Sequence, residues 1–111
     1  MTTEHKAQQA PVKPGTRVAW KFAIPQPTDT GRSFIDIPVH SELLSVGIQN
    51  DEMFVWALVD LIAADEVPPE MRRLIVANTD MDVPGFPVDA RFLGTLTTSY
   101  GIVWHIWDGD A

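Results

Sequence analysis

Residues 42–60 read ELLSVGIQNDEMFVWALVD, and this stretch decides the fold class. From Glu42 to Gln49, Leu44, Val46 and Ile48 share one face, the period of two that marks a β-strand with one buried side. Asn50-Asp51-Glu52 is a short polar connection, so residues 53–59 are expected to fold back as the second arm of a hairpin. The returning run is apolar on both sides. Met53, Val55, Ala57 and Val59 line one, and Phe54, Trp56 and Leu58 line the other. A strand of that kind is central in a sandwich or covered by a partner chain.

The same alternation recurs outward in both directions. Val18, Trp20, Phe22 and Ile24 alternate with Arg17, Ala19, Lys21 and Ala23 before Pro25 ends the run. Residues 26–32, QPTDTGR, read as a turn, and residues 33–37 as a second strand stopped by Pro38. After the central hairpin, residues 61–70 (LIAADEVPPE) hold the one candidate helical turn, ended by Pro68-Pro69. Residues 72–77 form a fifth strand, residues 78–90 a long Pro- and Asp-rich loop, and residues 92–97 and 102–107 a closing hairpin around Thr98-Ser99-Tyr100-Gly101. The expected fold is all-β, a small antiparallel sandwich or barrel of about seven strands. The polar segment 1–15 is expected to be a flexible arm, 16–108 the single β domain, and 109–111 a tail.

Composition narrows the function. The chain has 111 residues, no cysteine, and 15 acidic against eight basic side chains for a net charge of −7. Without cysteine there is no disulfide scaffold, thiolate zinc site or cysteine nucleophile. The negative charge argues against duplex nucleic acid and anionic membrane surfaces as partners. No apolar run approaches the ~18 residues of a membrane span, and the N-terminus has no signal-peptide core.

Motifs for turnover do not emerge: there is no GxSxG, HExxH or glycine-rich phosphate loop, so the chain is read as a non-enzyme without cofactor. Asn78, Asp80, Asp82 and Asp89 repeat offsets of a calcium loop, but Val83 stands where the sharp turn needs glycine and no helices flank it, so no metal site is expected. The four tryptophans, Trp20, Trp56, Trp104 and Trp107, all fall in strands. Trp104 and Trp107 are three apart and so face opposite sides of a regular strand. One of them is available for a partner or for stacking on a flat ligand, although core filling also accounts for large aromatics in a small domain. Arg72-Arg73 offers a guanidinium for phosphate or carboxylate, against the plainer reading of ion pairs with nearby acids. His105 lies between Trp104 and Ile106, where a buried, singly hydrogen-bonded histidine is the ordinary case.

Four segments carry a family resemblance: VAWKFAI (18–24), ELLSVGIQNDEMFVWALVD (42–60), the pair Arg72-Arg73 and FLGTLTTSYGIVWHIWD (92–108). Together they resemble a family of small single-domain proteins of tailed phages, in which a W-K-F/Y strand precedes an L-S-V … W-A-L-V-D stretch, a basic strand and a closing G-T … V-F-H-x-F hairpin. The family has no assigned function, so the resemblance implies a phage context, a host-cytoplasm location during infection and a small β fold. This chain departs from it at Ala77, Asn78, Thr79, Asp80 and Met81, where the family commonly carries G-T-G-H-P, and at Trp107, where phenylalanine is usual.

The resulting expectation is a phage accessory binding protein, a counter-defence factor that sequesters a nucleotide-type host immune signal or binds a host defence component. The alternative is a structural or assembly domain without ligand. The expected ligand-binding residues are Trp56, Arg72, Arg73, Trp104, His105 and Trp107, with Trp56, one of the two arginines, and His105 with its flanking tryptophans converging within one chain or across a subunit boundary. A small phosphate-bearing ligand or a host protein is the expected partner. Replacing Arg72 and Arg73 by alanine is expected to weaken a phosphate ligand with the fold intact. The doubly apolar runs 53–59 and 102–107 point to a homodimer or higher homo-oligomer.

Overall fold

Asn50 and Asp51 both adopt left-handed backbone, at φ 52° and 62°, and so form the two-residue turn whose twist matches a right-twisted hairpin. They join β3 (Glu42–Gln49) to β4 (Glu52–Asp60), as the sequence predicts. In the computed structural model, which describes residues 11–110, the remaining elements are β1 (Arg17–Ala23), β2 (Arg32–Ile37), α1 (Leu61–Glu66), β5 (Glu70–Asn78), β6 (Arg91–Thr97) and β7 (Val103–Asp108). Residues 1–10 of the expected arm and Ala111 of the expected tail lie outside the described residues. Helix α1 starts where Asp60 Oδ1 accepts the backbone N–H groups of Ile62 and Ala63, at 3.0 and 3.2 Å. That cap stops the hydrophobic strand and turns the chain.

The fold is all-β: two antiparallel sheets, ordered β1-β4-β3 and β2-β5-β7-β6. The sheets meet along β3 and β6, where Arg91 Nη2 donates to Leu43 O at 2.6 Å, and more sparsely along β1 and β2. Between them lies one core containing Ile35, Ile37, Leu43, Val55, Val59, Leu74, Val76 and Ile106. Burying each such side chain contributes about 1.5–3 kcal/mol against chain entropy. The alternation of β4 holds: Met53, Val55, Ala57 and Val59 point into the core, and Phe54, Trp56 and Leu58 lie half-buried on the outer face.

One expected face is corrected by a bulge. Leu43 pairs with Ala57 and Ser45 with Trp56, so Leu44 is an extra residue that faces out while Leu43 enters the core. Trp20 has the inward phase but remains 40% exposed, because β1 lies at the side where the two sheets approach least. The expected 78–90 loop is shorter by one residue, since Asn78 pairs with Trp104 as the end of β5, and the loop of residues 79–90 is fastened across the outer face of the four-stranded sheet. There it covers Ile75 and Ala77, which are buried although they point away from the main core. Arg32 holds it by donating from Nη2 to Pro84 O at 2.7 Å and Gly85 O at 3.1 Å.

Candidate functional site

Strand parity and the two sheets distribute the six sequence-predicted residues over three places. Trp56 stands on the outer face of the three-stranded sheet, in register with Lys21 and Ser45. Arg72 and Trp104 share the inner phase of the other sheet, Trp104 packing against the core. Arg73, His105 and Trp107 share its outer face. The expected convergence of Trp56, one of the two arginines, and His105 with its flanking tryptophans does not form within one chain: Arg73, His105 and Trp107 share a face, and Trp56, Arg72 and Trp104 lie elsewhere. Trp104 and Trp107 do face opposite sides, since β7 runs without a bulge against β5.

Arg72 is occupied by the fold. Its Nη2 donates to Asp108 Oδ2 at 3.0 Å, Nε reaches Oδ1 at 3.4 Å, and Nη1 donates to Ser41 O at 3.1 Å. Asp108 is 1% exposed and also accepts the backbone N–H of Asp110. A buried carboxylate at this position requires a cation, and Arg72 is the cation. The open depression of about 350 Å³ beside it is lined by His40, Glu70, Met71, Arg72 and Asp110. Its lining brings two carboxylates, Glu70 and Asp110, beside a guanidinium that already holds Asp108. Replacing Arg72 is thus a structural perturbation, which corrects the expectation that the double alanine variant keeps the fold intact.

The outer face of the four-stranded sheet gathers aromatic rings. Trp107 meets Phe86 edge-on at 5.1 Å between centroids and Phe92 at 5.5 Å. Phe92 reaches it by direct cross-strand pairing, and Phe86 from the fastened loop. Phe34, opposite Arg73 on β2, extends the same face. Phe34 and Phe86 are each 42% exposed and Phe92 is 53% exposed, so the cluster is open to a partner. His105 sits beside Trp107, its Nε2 hydrogen-bonded with Thr79 Oγ1 at 2.7 Å and its Nδ1 with Thr95 Oγ1 at 2.9 Å. Because a hydroxyl can donate or accept, the two threonines hold either neutral tautomer in place. Arg73 borders this face. Its Nη2 lies 3.3 Å from Asp110 Oδ1 and donates to Gly109 O at 3.1 Å.

A family model described as Domain of unknown function (DUF7352) matches residues 16–111. The chain belongs to the DUF7352 family. The match begins where β1's alternation begins and runs past β7, so it spans both sheets and the aromatic face of this DUF7352 domain. No curated protein and no solved structure matches the chain.

Sequence reasoning missed Phe34, Phe86, Phe92 and Arg32. Phe34 carried a readable signal: it is out of phase with Ser33, Ile35 and Ile37, which are all buried. Phe86 lies in a loop without periodicity and carried none.

Proposed function

We propose that this protein is a small, non-catalytic accessory protein of tailed phages that acts in the host cytoplasm by stoichiometric binding to a host protein. The binding surface in this proposal is the outer face built on Phe34, Phe86, Phe92 and Trp107. The observation that carries it is the exposure of Phe86 and Phe92 against Trp107 and of Phe34 on the same face, on a sheet whose other face already supplies the core. Clustered aromatics with an arginine at the border have the composition of interface hot spots. The phage context rests on the resemblance carried by the WALVD stretch and the closing hairpin.

A host protein fits this face better than a nucleotide-type signal. Small ligands are generally held in concave sites that cover most of their surface. The rings around Trp107 instead form an open sheet face, and Arg72, one of the two arginines expected to grip phosphate, is held by Asp108.

The test places a photo-crosslinking residue at position 92, and in a second variant at position 45 on the other sheet, in infected cells. The expected result is a host protein joined to position 92 but not to position 45, and lost when Phe34 and Phe86 are both changed to serine in the position-92 variant while the chain still unfolds cooperatively. Heating the purified protein and weighing what it releases supplies the opposing arm. A nucleotide released from the native chain but not from the Phe86→Ser/Phe92→Ser variant, or an absence of any position-92 adduct, overturns the host-protein reading.

A further inference from the structure

We infer that the outer face of the three-stranded sheet is a self-association surface that takes a second copy of this chain in two-fold symmetry. The surface is independent of the Trp107 face, since the two lie on different sheets. Its centre is the stripe Phe54, Trp56 and Leu58 on β4. On either side the strands carry small residues at facing positions: Ala19 opposite Leu58 and Ala23 opposite Phe54 on β1, with Ser45 opposite Trp56 and Gly47 opposite Phe54 on β3. The Trp56 ring lies so close over Gly47 that a Cβ there would fall 2.5 Å from its Cζ3. The tryptophan is thus laid flat along the sheet, and the stripe presents a low ridge with shallow flanks.

Charge decides what covers it. The β1 side carries Arg17 and Lys21, and the β3 side carries Glu42 and Gln49. Within one chain these side chains already reach across the stripe. Arg17 Nη1 stands 3.8 Å from Glu42 Oε1, and Lys21 Nζ donates to Gln49 Oε1 at 2.9 Å while lying 4.5 Å from the centre of the Phe54 ring. A two-fold axis running along β4 sets each β1 over the partner's β3. The Arg17 of each copy then meets the Glu42 of the other, with Lys21 over the neutral Gln49, so the same Arg17–Glu42 pairing re-forms between chains. A surface complementary to itself under a two-fold is the requirement for an isologous dimer. Residues 1–10, MTTEHKAQQA, contain a single large apolar side chain, Met1, and so do not match an aromatic and aliphatic stripe.

Sedimentation of the full chain at micromolar concentration is expected to give twice the 12.3 kDa of one chain. Leu58→Lys is expected to weaken the dimer roughly tenfold or more, as for a residue at the centre of an interface. Arg17→Glu and Glu42→Arg, each at an exposed position that leaves folding to the core, are each expected to sediment as monomers. Mixed together they are expected to restore a dimer, because every crossed pair is again of opposite charge. Several results overturn the inference: a monomeric wild-type chain, a dimer only after residues 1–10 are removed, a mixture that stays monomeric, or a dimer broken by Phe86→Ser/Phe92→Ser but not by Leu58→Lys. None of these outcomes bears on whether position 92 crosslinks a host protein.

Discussion

Changing Arg72 to alanine isolates the buried pair it makes with Asp108. The Arg72 side chain is 13% exposed and that of Asp108 is 1% exposed, with 3.0 Å between Nη2 and Oδ2. Removing the guanidinium leaves the Asp108 carboxylate buried, held by the Asp110 backbone N–H. Breaking a buried pair from one side costs about 3–5 kcal/mol, a large share of the roughly 5–15 kcal/mol that holds a domain together. At about 4 °C per kcal/mol for a domain near this size, the melting temperature should fall by about 12 °C or more. Urea unfolding followed by tryptophan fluorescence gives the free energy directly, provided the slope of the transition is unchanged. The double change Arg72→Met/Asp108→Leu should recover most of the loss, because a buried pair exchanged for packed apolar groups is often close to neutral. Arg73→Ala removes a pair exposed to 41% and 37%, worth about 0–1 kcal/mol, and one bond to Gly109 O, worth about 0.5–1.5 kcal/mol. If Arg72→Ala costs no more than Arg73→Ala, the pair is not structural and the reasoning fails.

Three further outcomes follow from separate contacts. Gly47→Ala should cost about 1–3 kcal/mol in urea unfolding and change the tryptophan emission, because the added methyl displaces the Trp56 ring; unchanged emission refutes the contact. Asp51 accepts the Ser99 N–H at 2.7 Å and the Ser99 hydroxyl at 2.5 Å, joining the tips of the two hairpins, and these bonds hold its carboxyl below its usual value of 3.8. A depressed carboxyl stabilises the fold above its unfolded value and loses that contribution as pH falls through the folded one, so the melting-temperature gap between wild type and Asp51→Ala should be full near neutrality and close on acidification below 3.8; a gap constant down to low pH contradicts it. Arg32→Ala should release the loop it clamps, read as faster hydrogen exchange at residues 81–88 with β5 amides still protected; unaltered exchange in that loop would mean that Arg32 does not hold it.

The strands were legible because their burial is one-sided and their ends are chemically marked. Pro25 and Pro38 stop runs whose alternation is complete, and Asn50-Asp51 supplies the two left-handed residues a tight hairpin needs. The bulge at Leu44 was not legible. Leu43 and Leu44 are equally apolar, and only the register against Ala57 and Trp56 decides which of them turns inward. The fastening of the 79–90 loop was equally hidden, since it depends on Arg32 meeting two carbonyls 52 and 53 residues away in the chain.

The candidate site was half legible for a related reason. Parity alone separates Arg72 from Arg73 and Trp104 from Trp107, but it does not say which member of each pair turns inward. On β5 both phases are apolar: Arg72 shares its phase with Leu74 and Val76, and Arg73 shares its phase with Ile75 and Ala77. The deciding residue lies on the next strand. Asp108 is in phase with Trp104 and Ile106, so a carboxylate is carried into the core at the end of β7. A buried carboxylate needs a guanidinium or a set of N–H donors. Arg72 is the in-phase residue on β5 within reach of it, two positions before Leu74, Asp108's own register partner. Once that requirement is met, Arg72 is no longer a ligand fork, Trp104 is core, and Trp107 is left outward with Phe92 opposite it. Phase therefore moves the proposed binding face from the arginine pair to the aromatic side of the four-stranded sheet.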